Sequence, residues 1–78
     1  MSDIKPDVVL DTKDMNCPLP VLKTKKAIDI IQSGQVLKVI STDKGSRSDI
    51  PALIVRLGHE LIETKDNGDI FEFYIRKK

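Results

Sequence analysis

The sequence contains one cysteine, one tyrosine, two phenylalanines and no tryptophan in 78 residues. A single cysteine excludes an intramolecular disulfide and a metal site built from several cysteines. The few aromatic rings offer little for base stacking, and a net charge of +1 gives no overall attraction to nucleic acid. No apolar run is long enough to span a membrane and no signal peptide is visible, so we expect a cytoplasmic protein.

The short chain limits the protein to one small domain. A chain of this size buries only about 60–65% of the surface of its unfolded form, which leaves little room for a deep active site. We expect residues 1–78 to form a single domain, with a flexible segment at residues 1–6. No cofactor-binding motif is visible, so we expect neither a cofactor nor a metal. We also expect a monomer.

The apolar pattern predicts six elements in the order β-α-β-α-β-β. Strands are predicted at 8–10, 36–42, 61–65 and 70–76, and helices at 18–33 and from 46 or 48 to 57. Gly34 and Gly58 are predicted to end the helices, and Asn67-Gly68 predicts a hairpin between the last two strands. The start of the second helix stays open, because both Ser46 and Ser48 are suitable capping residues.

Two helices are enough to cover only one face of a four-stranded sheet. The right-handed crossover rule places both helices on the same side. The predicted fold class is therefore α/β, a two-layer α/β sandwich with a four-stranded mixed sheet. The last strand should have one buried face and one solvated face, from the alternation of Phe71, Phe73 and Ile75 with Glu72, Tyr74 and Arg76.

The only cysteine lies in the segment Asn16-Cys17-Pro18-Leu19-Pro20. With Cys17 as the N-cap, both prolines fall at positions where no intrahelical hydrogen bond is lost. Asn16 is the better capping residue by type, but it would place Pro20 one position too deep. We therefore predict Cys17 at the helix N-terminus, where free N–H groups and the macrodipole favour a reactive thiolate. The alternative is a small buried side chain.

Four basic residues are predicted to lie near Cys17, because the carboxyl ends of parallel strands meet at one edge of a sheet. These are Lys13, Lys23, Lys44 and Arg47. Cations there would favour the thiolate and form a docking surface for an acidic partner. The alternative is that they are ordinary solvated side chains, and Asp14 and Asp43 offset part of their charge.

No general base accompanies the cysteine in the sequence. His59, the only histidine, is predicted at the opposite end of the sheet with a structural role. A nucleophile without a base is better suited to carrying a group on sulfur than to independent turnover. A persulfide passed between a donor protein and an acceptor protein fits this requirement.

Short motifs occur in a fixed order: Leu10-Asp11, then C-P-x-P at Cys17-Pro18-Leu19-Pro20, Thr42-Asp43, Asp49-Ile50-Pro51, Gly58-His59-Glu60-Leu61 and Ile75-Arg76-Lys77. With this set the chain resembles the TusA/SirA-like family of small sulfur carriers. The resemblance implies the same sandwich and a persulfide on Cys17. It also implies a cysteine desulfurase or rhodanese as sulfur donor and a DsrE-like protein or thiolation enzyme as acceptor. The pathways it implies are tRNA thiolation, cofactor maturation and sulfur oxidation, with a thiosulfate adduct of the cysteine as an alternative cargo.

Two departures from the family pattern bear on the chemistry. The family usually has Gly-Leu where this chain has Asp14-Met15, which adds a negative charge that should oppose the thiolate. Many members also carry a second cysteine in the second helix, where this chain has Ile54 or a neighbour. Two other functions stay open: a non-catalytic interaction or regulatory module, and nucleic-acid binding through Lys23, Lys25 and Lys26, which the charge balance disfavours.

Overall fold

The computed structural model of the protein describes residues 4–16 and 18–78. Six elements follow one another in the predicted order: β1 (Val8–Thr12), α1 (Leu19–Ile30), β2 (Val36–Ser41), α2 (Ser46–Leu57), β3 (Glu60–Asp66) and β4 (Phe71–Arg76). The strands form one sheet in the spatial order β1-β2-β4-β3. β1 and β2 are parallel and the other two pairs are antiparallel, so the predicted mixed sheet is confirmed.

The hydrophobic core lies between the sheet and the two helices. Alternate residues of β2 and β4 share one face of the sheet and pack with the apolar side chains of α1 and α2 in a single cluster. Its buried members are Ile28, Ile31, Leu37, Val39, Ile50, Ile54, Phe71, Phe73 and Ile75. Both helices therefore cover the same face, which gives the predicted two-layer sandwich.

Tyr74 is the exception on the other face of the sheet. The alternation predicted a solvated side chain, but Tyr74 is only 6% exposed. The Nζ atoms of Lys38 and Lys65 lie 5.5 and 5.4 Å from the centre of its ring. The two ammonium groups lie over the ring as cation–π partners and help to cover it, so the prediction is wrong for this residue.

The two helices end differently from one another. α2 ends as predicted at Gly58, whose left-handed φ of 81° lets its N–H donate to the carbonyl of Val55 at 3.1 Å. α1 ends at Ile30 rather than near Gly34, which lies in the turn that follows. The ammonium of Lys77 donates to the carbonyl oxygens of Asp29 (3.0 Å) and Ile31 (2.7 Å), so a distant side chain stabilises the end of α1.

His59 lies at the edge of the sheet where β3 begins, away from the first turns of both helices. Its Nδ1 accepts the N–H of Lys78 at 3.0 Å, which ties the C-terminal residue to the turn after α2. This agrees with the predicted structural role. Among the residues that the structure describes, no helix is long and apolar enough to cross a membrane.

Candidate functional site

The predicted site lies at the edge of the sheet where the parallel strands β1 and β2 end. Thr12 and Ser41, the last residues of the two strands, face each other in the register. The first turns of α1 and α2 both follow this edge, as the parallel arrangement requires. Cys17 itself lies outside the described residues, while the flanking Asn16 and Pro18 are described.

The first turn of α1 begins one residue later than predicted. Pro18, rather than Cys17, occupies the N-cap position, with no side-chain hydrogen bond to the turn. The N–H of Leu22 donates to the Pro18 carbonyl at 3.1 Å, which is the i to i−4 bond of an α-helix. Pro20 then stands at the second helical position, so neither proline removes an intrahelical bond.

The amide groups of this first turn are largely consumed. Pro18 and Pro20 have no N–H, and the N–H of Leu19 donates to the carbonyl of Asn16 at 2.9 Å. None of residues 18–20 therefore offers a free amide hydrogen to a neighbouring anion. The expectation of several unpaired N–H groups is wrong for these positions, because the prolines that favour the helix start also remove its donors. Negative charge here must depend on the remaining dipole and on nearby cations.

The loop between β1 and α1 is anchored to the ends of both strands. The N–H of Asp14 donates to Thr42 Oγ1 at 2.9 Å, and the N–H of Met15 donates to the Thr12 carbonyl at 3.2 Å. The fully buried Thr12 hydroxyl donates to the carbonyl of Ile40 at 2.6 Å. These bonds determine the path of the chain toward residue 17.

Asp14 has a φ of 66° and is the one described residue other than glycine in the left-handed region. Side chains with a Cβ adopt this conformation at a cost, although aspartate tolerates it better than most. The family pattern named above usually has glycine at this position. The backbone explains that preference, since glycine adopts a positive φ without strain.

Gly45 stands at the N-cap position of α2 and offers no side-chain bond, so the first turn is closed by Asp43, a residue that the sequence did not indicate. Asp43 Oδ2 accepts both the N–H and the hydroxyl of the buried Ser46, each at 3.1 Å. The Asp43 carbonyl accepts the same N–H at 3.1 Å, which makes the entry into the helix a tight turn. Neither Ser46 nor Ser48 is the cap. Pro51 favoured Ser48 as the cap and hence a later start of α2, but it lies inside the helix rather than in its first turn.

Two of the four predicted basic residues are already paired. Arg47 Nη2 lies 3.0 Å from Asp66 Oδ2 at the end of β3, the strand farthest from β1 in the sheet. Lys13 Nζ lies 3.7 Å from Asp11 Oδ2. Lys23 and Lys44 are exposed and form no ion pair with any residue in the described ranges. The uncompensated positive charge is therefore carried by these two.

The outer surface of α1 carries exposed apolar side chains beside its lysines, which the sequence reasoning missed. Leu19, Leu22 and Ile30 are 47%, 51% and 82% exposed. A surface groove is lined by Leu19, Leu22, Lys23, Lys25, Lys26 and Asp29. The available signal was that α1 has more apolar residues than one buried stripe requires. We call the set Leu19, Leu22, Lys23, Lys26 and Ile30 the α1 surface.

Within residues 4–16 and 18–78, no group of three or more His, Cys, Asp or Glu side chains is arranged to hold a metal ion.

Comparison with known proteins gives the family. A family model described as sulfurtransferase TusA matches residues 8–77. The chain belongs to the TusA family. It is 48% identical over 71 residues to the sulfur carrier protein TusA of Allochromatium vinosum, covering 91% of this chain and 93% of that protein. It is 42% identical over 78 residues to the sulfur carrier protein TusA of Pseudomonas putida, covering 100% and 98%.

The fold of the TusA family is also found among solved structures. A crystal structure of a SirA-like protein from Desulfitobacterium hafniense superimposes with a TM-score of 0.74 at 28% sequence identity. The match covers 88% of this chain and 95% of that chain. The solved structure therefore supports the α/β fold of this chain.

Proposed function

We propose that this protein is a sulfur carrier that holds sulfane sulfur as a persulfide on Cys17. The observation that carries the proposal is membership of the TusA family together with the position of the only cysteine. In the sequence, Cys17 directly follows a loop anchored by Thr42 and directly precedes the first turn of α1. Its two relatives named above are both called sulfur carrier proteins.

The proposed reaction is a transfer of sulfur without net oxidation. The Cys17 thiolate attacks the terminal sulfur of a persulfide on a donor protein, a new S–S bond forms on Cys17, and the donor cysteine leaves as thiolate. In the second step, a thiolate of the acceptor attacks the terminal sulfur on Cys17. Cys17 then leaves as thiolate, and the proton of the persulfide travels with the transferred sulfur or is lost to solvent.

The acceptor has to take the sulfur directly, because the chain has no second cysteine to release it as a disulfide. The family pattern often has that cysteine in α2. Ile54 is fully buried in the core of this protein, and its neighbour Val55 is 73% exposed. A cysteine at the buried position would be shielded from an acceptor, so only a residue on the exposed side of α2 suits an exchange role.

We infer that the partner proteins present acidic and apolar residues to the α1 surface. Its lysines lack ion pairs with described residues, and Leu22 and Ile30 stay exposed beside them. Lys44 adds positive charge just before α2, whereas Lys13 and Arg47 each lie beside a carboxylate that offsets part of their charge. A cysteine desulfurase or rhodanese as donor, and a DsrE-like protein or thiolation enzyme as acceptor, are the proposed partners. The pathway is tRNA thiolation, cofactor maturation or sulfur oxidation.

The test is to load the protein with inorganic polysulfide and measure its intact mass. We expect one added sulfur atom on the wild type, removal of that sulfur by dithiothreitol, and no loading of Cys17→Ser. Ser33→Ala, far from the site, is the matched control and should load like the wild type. Equal loading of Cys17→Ser would overturn the proposal and favour a non-catalytic interaction module. Incubation with thiosulfate and an oxidant tests the alternative cargo, since the adduct has a different mass.

A further inference from the structure

We infer that Thr42 is a positioning residue for Cys17. This inference rests on the proposed function, because it concerns the reactivity of the same thiol. Thr42 lies directly after β2, 25 positions along the chain from Cys17. Its Oγ1 is nevertheless bonded to the loop that leads into the C-P-x-P motif.

The Thr42 hydroxyl holds the residue of that loop with the least favourable backbone. Asp14 donates its N–H to Thr42 Oγ1 at 2.9 Å while its φ is 66°. A left-handed conformation costs roughly 1–2 kcal/mol for a residue with a Cβ, so it persists only where neighbouring bonds hold it. Asp14 makes no other hydrogen bond among the residues described. The Thr42 bond and the turn bond from the Met15 N–H to the Thr12 carbonyl together hold this conformation, and of the two only the Thr42 bond involves a side chain.

The same segment also connects the two helix starts. Asp43, the next residue, caps α2 through Ser46. The Thr42 side chain therefore holds the loop before Cys17, and the Asp43 side chain holds the first turn of α2. This arrangement gives the Thr42-Asp43 motif a physical role at both helix starts.

The experiment compares Thr42→Val, which removes the hydroxyl while keeping the branched shape, with Thr42→Ser, which keeps the hydroxyl. The rate of Cys17 alkylation by iodoacetamide is measured against pH in the full chain. We expect Thr42→Val to slow the alkylation of Cys17 by up to about threefold in the pH range where the thiol is mostly protonated. The reason is that the Thr42 hydroxyl no longer fixes the loop that leads into the C-P-x-P motif. Thr42→Ser should restore the wild-type profile.

Two further measurements separate positioning from general destabilisation. Amide hydrogen exchange of Asp14 should accelerate in Thr42→Val and not in Thr42→Ser. Ser33→Ala removes a surface hydroxyl bond to the Lys78 carbonyl and should leave the alkylation profile unchanged. If the profile of Thr42→Val superimposes on that of the wild type, the inference is wrong even when sulfur loading works. If wild type and Cys17→Ser load alike, the proposed function fails independently of Thr42.

Discussion

The first turns of α1 and α2 follow the same edge of the sheet but are bonded in different ways. The first turn of α2 is closed by the Asp43 carboxylate, which accepts two hydrogen bonds from Ser46. The first turn of α1 has Pro18 at its cap position and no side-chain hydrogen bond. Side-chain capping satisfies the free amides of a helix end, whereas prolines simply lack them.

The difference indicates a division of roles between the two helix starts. At α2 the capping residue, the buried Ser46 and the Arg47–Asp66 ion pair all stabilise the fold. At α1 the stabilising bonds lie in the preceding loop instead, and the residue next to the cap position is the cysteine. A side-chain cap on α1 would place a polar group beside the C-P-x-P motif, to which the proposed function requires access by partner proteins. We interpret the prolines as a means of starting the helix without such a side chain.

The largest expected effect concerns the capped helix. Asp43→Ala should lower the free energy of unfolding by about 2 kcal/mol, because the cap is lost and the buried Ser46 hydroxyl loses its acceptor. Urea denaturation measures the change, and Asp43→Asn, which keeps an oxygen acceptor, should lose less than half as much. Alkylation of Cys17 below the unfolding transition should stay close to wild type. A large loss of thiol reactivity with intact stability would mean that the two helix starts are not separate in function.

A smaller effect of opposite sign is expected in the loop before α1. Asp14→Gly should raise the free energy of unfolding by roughly 0.5–1 kcal/mol, because the relief of the left-handed strain exceeds the greater chain entropy of glycine. Asp14→Ala removes the same carboxylate but keeps the Cβ, so it should be less stable than Asp14→Gly. Thermal or urea unfolding compares the two variants directly. Equal stability of the glycine and alanine variants would show that the positive φ carries no strain.

Asp14→Asn completes this series, because it removes the charge and still tolerates the left-handed conformation. If the carboxylate opposes the thiolate, Asn and Gly should both speed alkylation of Cys17 at neutral pH. A change in the glycine variant alone would assign the effect to the backbone rather than to charge.

Much of the fold was predictable because its signals are local. The Asn67-Gly68 turn shows the expected positive φ at Gly68, and Gly58 ends α2 as the pattern indicated. The mixed sheet follows from the order of the elements. The end of α1 was not predictable, since it depends on Lys77, which is 46 positions from the Ile31 carbonyl that it binds. Asp43 was missed as a cap because Pro51 suggested a later helix start.

The residues proposed for the site can be named from the sequence, but the ion pairs around them cannot. The C-P-x-P motif and the basic residues are visible in the sequence, and the parallel strands explain why we predicted them at one edge of the sheet. The pairing of Arg47 with Asp66 crosses from α2 to the hairpin and has no local signal. The lack of free amide donors in residues 18–20 could not be predicted without knowing the first residue of α1, because that residue decides which N–H groups lie at the helix end.

The smallest expected effect concerns one charged side chain on each helix. It tests whether Arg47 on α2 contributes to stability while Lys23 on α1 contributes to partner binding. Arg47→Gln should cost at most about 0.5 kcal/mol of unfolding free energy, because the side chains of Arg47 and Asp66 are 66% and 36% exposed and water screens the pair. Even that cost should shrink between about 0.1 and 1 M salt, as the Debye length falls from ~10 to ~3 Å. Lys23→Gln is the matched removal of an unpaired charge and should leave stability unchanged.

Sulfur transfer from a cysteine desulfurase that loads the wild type should slow in Lys23→Gln and not in Arg47→Gln, because of these two residues only Lys23 has an unpaired charge available for a partner. An equal slowing in both variants would mean that the Arg47–Asp66 pair opens on docking, so that the first turn of α2 belongs to the interface as well.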